Sequence, residues 1–194
     1  MRVTAGRLKG RNLVAPPDMT VRPTSDKVRQ AIFNILEHSA LVDGFTLQNA
    51  RVVDLFAGTG ALGIEALSRG ARYALLIDDA AESRGFIRRN VEAFGLTGIT
   101  KIWRRDATDL GPVSGDGFDL AFLDPPYRKN LVAPALAALL SGKWLSPSAV
   151  IVVEISAEEP LPDTSGFEIL DTRDYGDTRV LFMGVAGINS PPAA

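Results

Sequence analysis

The chain has 194 residues, enough for one domain with a sizeable core, and its 46% hydrophobic and 23% charged residues are a globular balance rather than a disordered one. No cysteine and a single histidine, His38, exclude disulfides, thiolate-ligated zinc, iron–sulfur clusters and any histidine-rich metal site, so no metal is expected. The sequence shows neither a signal peptide nor an apolar run of membrane-spanning length, and the expected location is cytoplasmic with no membrane partner.

A formal net charge of -2 gives no global support to nucleic-acid binding, but the charges are unevenly spread. Residues 1–29 carry seven basic side chains (Arg2, Arg7, Lys9, Arg11, Arg22, Lys27 and Arg29) against Asp18 and Asp26, whereas residues 151–177 carry eight acids and only Arg173. Charge alone leaves open whether the basic segment faces phosphates or is simply a solvated surface.

In chain order, Val3-Thr4 and Asn12-Leu13-Val14 read as two short strands of a basic hairpin that ends at Pro16-Pro17, because prolines cannot join a regular ladder. Residues 1–23 are therefore read as an N-terminal extension, residues 24–187 as the main domain and residues 188–194 as a flexible tail. Val28, Ile32, Ile35 and Leu36 recur at helical spacing and predict a helix over 25–38, capped by Thr24 or Ser25. Strands are then expected at 51–56, 73–78, 99–104, 118–124 and 149–155, alternating with helices at 61–69, 80–94 and 131–140. A closing hairpin is expected at 167–173 and 179–185, around Tyr175-Gly176-Asp177. Strand–helix units of this length imply an open α/β sheet with helices on both faces, which binds ligands beyond the carboxyl ends of its strands.

Three features fall at such strand ends. Gly58, Gly60 and Gly63 follow the first strand, where glycine permits a tight turn, a close ligand approach and close helix packing. Asp54 precedes this turn and suits a positively charged ligand, while no Lys-Ser/Thr follows, which excludes the usual P-loop. Asp78, ending the second strand, suits two ribose hydroxyls, a feature shared with dinucleotide-binding domains. Asp106 and Ala107 follow the third strand, where the acid is suited equally to an adenine amino group and to a helix cap or turn.

The sharpest motif is Asp124-Pro125-Pro126-Tyr127 after the fourth strand. Two prolines rigidify a loop, which can present the Asp124 carboxylate and the Pro125 carbonyl as fixed acceptors for the two hydrogens of an amino group, while Tyr127 stacks on the attached ring. An exocyclic amine is a poor nucleophile because its lone pair is delocalised, and two aligned acceptors support the positive charge that develops as it attacks. Methyl transfer from S-adenosylmethionine fits this arrangement and needs neither a metal nor a covalent protein intermediate.

With these residues placed, the chain from Met1 to about Val185 resembles the bacterial RsmD family, the 16S ribosomal RNA guanine-N2 methyltransferases of the guanine 966 type. The resemblance runs through the opening eleven residues, Val21-Arg22-Pro23-Thr24-Ser25-Asp26-Lys27-Val28-Arg29, Ala31-Ile32-Phe33-Asn34-Ile35-Leu36, residues 54–60, 62–67, Ser68-Arg69-Gly70-Ala71, the tetrapeptide at 124–127 and Tyr175-Gly176-Asp177-Thr178. It implies a Rossmann-like class I methyltransferase fold with a mostly parallel seven-stranded sheet. The implied catalytic residues are Asp124, Pro125 and Tyr127. The implied S-adenosylmethionine-binding residues are Thr24, Ser25, Arg29, Asp54, Phe56, Gly58, Gly60, Asp78, Asp106 and Ala107. Arg2, Arg7, Lys9, Arg11 and Arg22 would face RNA, and the implied partner is 16S rRNA within the 30S subunit or a late assembly intermediate, with the enzyme a monomer. Two positions depart from the family pattern: Asp78 stands where Glu is frequent, and Arg104-Arg105-Asp106-Ala107 differs from relatives with Asn at the adenine contact. Adenine-N6 methylation of RNA or DNA uses the same acceptor-and-stack solution, and a noncatalytic ribosome-assembly protein would need only the N-terminal charges. Arg84, Arg88 and Arg89 are left outside the expected site.

Overall fold

A computed structural model describes residues 1–17 and 25–187. It contains strands β1 (Arg51–Leu55), β2 (Tyr73–Ile77), β3 (Thr100–Trp103), β4 (Phe118–Leu123), β5 (Leu145–Ser156), β6 (Phe167–Tyr175) and β7 (Thr178–Val185). The helices are α1 (Asp26–His38), α2 (Ala61–Ser68), α3 (Ala81–Ala93) and α4 (Val132–Ser141). The expected tail at 188–194 lies outside the described residues.

The seven strands form one sheet in the order β3-β2-β1-β4-β5-β7-β6, parallel from β3 to β5 and closed by the antiparallel β6–β7 hairpin. The order reverses between β1 and β4, which opens a crevice at their carboxyl ends. The strand period of two divides the core. Val52, Leu76, Leu120, Phe122 and Val152 point to the face covered by α1, α2 and α3, while Val53, Ile77, Leu123 and Val153 point to the face covered by α4 and Trp144. Burial on both faces explains why these strands are almost continuously apolar. The β5 strand starts earlier than the expected residue 149, because Leu145 pairs with Phe118 before the register shifts to Leu120–Val150.

The N-terminal segment pairs its two arms through the antiparallel Arg2–Asn12 bridge and the Val3–Arg11, Gly10–Val3 and Leu13–Met1 backbone bonds, too few for regular strands, with one 3-10 turn at Gly6–Leu8 between them. It lies flat on α2. At Gly6 (φ 76°) a Cβ would come within 1.9 Å of the Ser68 carbonyl oxygen, so only glycine permits this approach. The Ser68 hydroxyl donates to the Ala5 carbonyl at 2.6 Å and accepts from the Leu8 amide at 3.0 Å.

Beneath this contact lies a buried charge cluster centred on Glu65, whose side chain is 0% exposed. Its carboxylate accepts from the Thr4 amide (2.8 Å), the Thr4 hydroxyl (2.6 Å), the Ala5 amide (3.0 Å), Arg69 Nε (2.8 Å) and Arg29 Nε (3.4 Å). Arg69 also reaches Glu37 at 2.7 Å and lies over the Phe33 ring, while Arg29 donates to Asp26 and to the Arg2 carbonyl. Removing one partner of such a cluster strands the remaining charges out of water. Glu65→Gln is therefore expected to lower unfolding stability by about 3–5 kcal/mol, measured by urea denaturation, and to speed hydrogen exchange at the Thr4 and Ala5 amides.

Candidate active site

The register of β1 on β4 pairs Leu55 with Leu123, so the chains leaving both strands, Phe56 on one and Asp124 on the other, emerge side by side. Around them is a cleft of about 1100 Å³ that brings together Asp54, Phe56, Gly58, Asp78, Asp106 and Ala107 from the β1, β2 and β3 ends with Asp124, Pro125 and Tyr127 from the β4 end.

The glycine turn is held by its two acids. Asp54 is buried at the end of β1 and accepts from the Gly63 amide at 3.0 Å, tying the strand to the first turn of α2. Asp78 accepts from the Gly58 amide and from the Ala80 amide, both at 2.9 Å. Each Asp78 oxygen thus has one backbone donor and capacity for a further one, at the lining of the cleft. Phe56 (φ 64°), Gly58 (φ 58°) and Gly60 (φ 80°) all lie in the left-handed region, and Phe56 adopts it without glycine's freedom, a strain typical of ligand-binding turns. Gly60 is the N-cap residue of α2, packed against Leu76 and Ile64, and stands behind the cleft wall rather than on it.

On the third strand's side, Asp106 accepts from the Thr108 amide (2.8 Å) and hydroxyl (2.7 Å) through one oxygen, and these bonds hold its pKa below the usual carboxylate value. Ala107 is buried beside it.

The tetrapeptide loop is anchored from behind. The Tyr127 hydroxyl donates to Glu154 at 3.1 Å and lies 3.1 Å from the Thr178 hydroxyl, so β5 and β7 fix the ring's position. Burial, together with the nearby Glu154 and Asp124 charges, pushes the phenol well above its ordinary pKa, although the Thr178 bond opposes this. Tyr127 therefore presents a neutral ring. Glu154 and Thr178 were not expected in the site. The single acid in the apolar run Val150-Ile151-Val152-Val153-Glu154-Ile155 is the local sign of the first, and Thr178 follows Tyr175-Gly176-Asp177 at the turn of the closing hairpin.

Other expected residues lie elsewhere. Ser25 caps α1 by accepting from the Val28 amide at 3.2 Å, and Arg29 is committed to the Glu65 cluster with 0% exposure; neither lines the cleft. Thr24 and Arg22 lie outside the described residues. Arg7 and Lys9 are exposed on the N-terminal segment, whereas Arg2 pairs with Asp26 at 3.7 Å. Arg11 lies 4.4 Å over the Phe94 ring and donates to the Ala93 carbonyl. Arg84 donates to the Asp78 and Asp79 carbonyls and buttresses the ribose-suited turn, and Arg89 lies over Phe86.

Burial first, and the Asp78 charge in addition, push the Asp54 carboxyl up to about 7, against the opposing Gly63 hydrogen bond. The native protein thus holds a proton that the unfolded chain releases near the ordinary value of 3.8, so folding stability falls as pH rises from there to about 7 and is level above it. Asp54→Asn, which keeps an acceptor for Gly63, is expected to abolish this slope, measured as unfolding free energy from pH 4 to pH 8 in both proteins.

The family described as conserved hypothetical protein 95 matches residues 1–184. The chain is 36% identical over 163 residues to Ribosomal RNA small subunit methyltransferase D of Escherichia coli (strain K12), covering 84% of this chain and 78% of that protein. It is 35% identical over 184 residues to YlbH of Bacillus subtilis (strain 168), covering 93% of this chain and 96% of that protein. The solved structure of yhhF from Escherichia coli superposes with a TM-score of 0.80 at 28% identity, over 95% of this chain and 97% of that one. The sheet order and its antiparallel closing hairpin are those of the class I methyltransferase fold. From its first residues to the end of the sheet, the chain belongs to the conserved hypothetical protein 95 family, the RsmD family.

Proposed function

We propose that the chain transfers a methyl group from S-adenosylmethionine to the exocyclic N2 amine of one guanine in 16S rRNA, presented in an assembled or partly assembled small ribosomal subunit. The observation that carries this reading is the convergence, in one cleft, of a nucleoside-suited turn and a rigid acceptor loop beside a tethered aromatic ring. The methyltransferase name of the Escherichia coli relative supports the reaction class and the RNA.

The residues fit the cofactor. Gly58 leaves open space at the turn, Asp78 offers acceptors to ribose hydroxyls, Asp106 and the Ala107 backbone suit an adenine edge, and Asp54 suits a cationic group. When bound, S-adenosylmethionine supplies an electrophilic methyl carbon on a sulfonium. The chain's own part is to hold the acceptor. Asp124 and the Pro125 carbonyl accept the amine's hydrogens and turn its lone pair toward the methyl group, while Tyr127 fixes the plane of the base. The attacking nitrogen becomes acidic as its bond to carbon forms, so Asp124 receives a proton late and need not be a strong base beforehand. Within the extension, residues 1–23, Arg7 and Lys9 face phosphates, while domain 24–187 carries the chemistry. The chain acts as a monomer in the cytoplasm, where its RNA is made.

Labelled S-adenosylmethionine, unmodified small subunits and mapping of the modified base test this reading. Guanine-N2 label is expected, and Asp124→Ala is expected to lower kcat by about 10²–10³. Adenine-N6 label would overturn the target while keeping the cofactor assignment. Absence of label with intact cofactor binding would favour a noncatalytic assembly role. Tyr127→Ala removes the stacking surface, worth about 1–3 kcal/mol, and is expected to reduce kcat/KM roughly tenfold to hundredfold. Tyr127→Phe keeps the ring, loses only its tether and is expected to cost several-fold less in the same assay.

A further inference from the structure

The cleft is poorly suited to a phosphate chain: eight of its lining residues are acidic and two, Arg105 and Arg128, are basic. Such a wall favours a cationic cofactor and repels the backbone of any nucleotide whose base enters. Arg105 is already engaged, donating to the Leu110 carbonyl at 2.9 Å and lying 5.6 Å from the Trp103 ring centroid. Arg128 is placed differently. It follows Tyr127 directly, lines both the cleft and a second cavity of about 420 Å³ behind the tetrapeptide loop, and its side chain is 73% exposed.

Its backbone is held under tension. Arg128 (φ 60°) and Asn130 (φ 52°) both occupy the left-handed region, which a long side chain such as arginine seldom adopts. Glu159 maintains that conformation. One of its oxygens accepts from the Arg128 amide at 2.6 Å and the other from the Ser156 amide at 3.0 Å. The guanidinium thereby projects at the rim, where it donates to Glu158 at 3.0 Å. That partner is itself 77% exposed, and an ion pair so open to water contributes little and exchanges readily. A planar fork held beside the Tyr127 ring and paired, among the described residues, with a displaceable carboxylate has the properties of a phosphate receptor.

We propose that Arg128 binds a backbone phosphate of the RNA next to the target base, and that Glu158 occupies the guanidinium as a stand-in when no RNA is bound. This rests on the reading of Tyr127 as the platform for the target base. The two residues then act in opposite directions: Arg128 attracts the strand, and Glu158 competes with it for the same donors.

Methylation kinetics of small subunits across a salt series test the proposal, with cofactor affinity measured separately by calorimetry. Arg128→Ala is expected to raise the subunit concentration for half-maximal rate about tenfold. It should also reduce the slope of its logarithm against log salt by about one and leave cofactor affinity unchanged. Arg128→Lys is expected to restore the slope but only part of the affinity, because a point charge replaces the fork. Glu158→Gln is expected to lower the half-saturating concentration about threefold, and this gain should vanish in the Arg128→Ala background. Unchanged half-saturation in Arg128→Ala, or a Glu158→Gln gain that persists without Arg128, overturns the proposal. Failure of the wild-type chain to methylate subunits would instead overturn the functional reading on which it rests.

Discussion

The in-register parallel pairing of β1 with β4 is the constraint on which the cleft depends. It sets Asp54 opposite Phe122 and Leu55 opposite Leu123, so the ligand-binding turn and the acceptor loop leave the sheet at the same level. A slip of one residue would reverse the side-chain alternation of a strand buried on both faces and turn Asp54 away from the Gly63 amide. The apolar packing of Val52, Val53, Leu120 and Phe122 therefore sets the spacing of the glycine turn and the Asp124–Tyr127 loop before any polar residue contributes. Chemistry in this fold is positioned by the core.

Electrostatics then divides the molecule. Acids gather at the strand ends, where they hold backbone amides: Asp54 on Gly63, Asp78 on Gly58 and Ala80, Asp106 on Thr108. The same carboxylates form a field suited to a cation and hostile to phosphate. Exposed basic groups lie on the N-terminal segment, at Arg7 and Lys9, and at the cleft's rim, where Arg128 follows Tyr127. A small net charge is thus compatible with local basic surfaces, because the acids and the exposed bases occupy different parts of the molecule.

The elements were legible because their signals are local. Glycines after an apolar strand, an Asp-Pro-Pro-Tyr tetrapeptide and a period of two or 3.6 each read within a dozen residues. What escaped depends on partners far along the chain. Glu65 in Ala61-Leu62-Gly63-Ile64-Glu65-Ala66-Leu67 looks like one polar break in an apolar helix, and nothing nearby indicates that Thr4 and Ala5 supply its donors. Arg29 suited a ligand contact by its motif, yet the same charge is spent on Glu65 and Asp26. Leu145 joined a strand despite Pro147 two residues on, because its pairing with Phe118 lies on the far side of a register shift. The arms read as a hairpin from Val3-Thr4 and Asn12–Val14 do pair, through Val3–Arg11, Gly10–Val3 and Leu13–Met1 backbone bonds around the Arg2–Asn12 bridge, but the pairing is too short to form regular strands.

A cluster of charges beneath the N-terminal segment is costly to bury, and apolar residues of equal volume would serve stability as well or better. Its effect on geometry is more specific. Glu65 clamps Thr4 and Ala5 onto α2, whose first turn receives the Asp54 bond. Asn90 binds both polar groups of the Val14 backbone and also donates to the Thr59 carbonyl inside the glycine turn. The segment that displays Arg7 and Lys9 is thus fastened at two points to the elements that shape the cleft. An arm that ordered only on contact would lose part of its binding energy to conformational entropy. A fastened one has already lost that freedom in folding, so the charge displayed on it keeps a set position relative to the cleft, and the buried cluster acts on positioning as much as on stability.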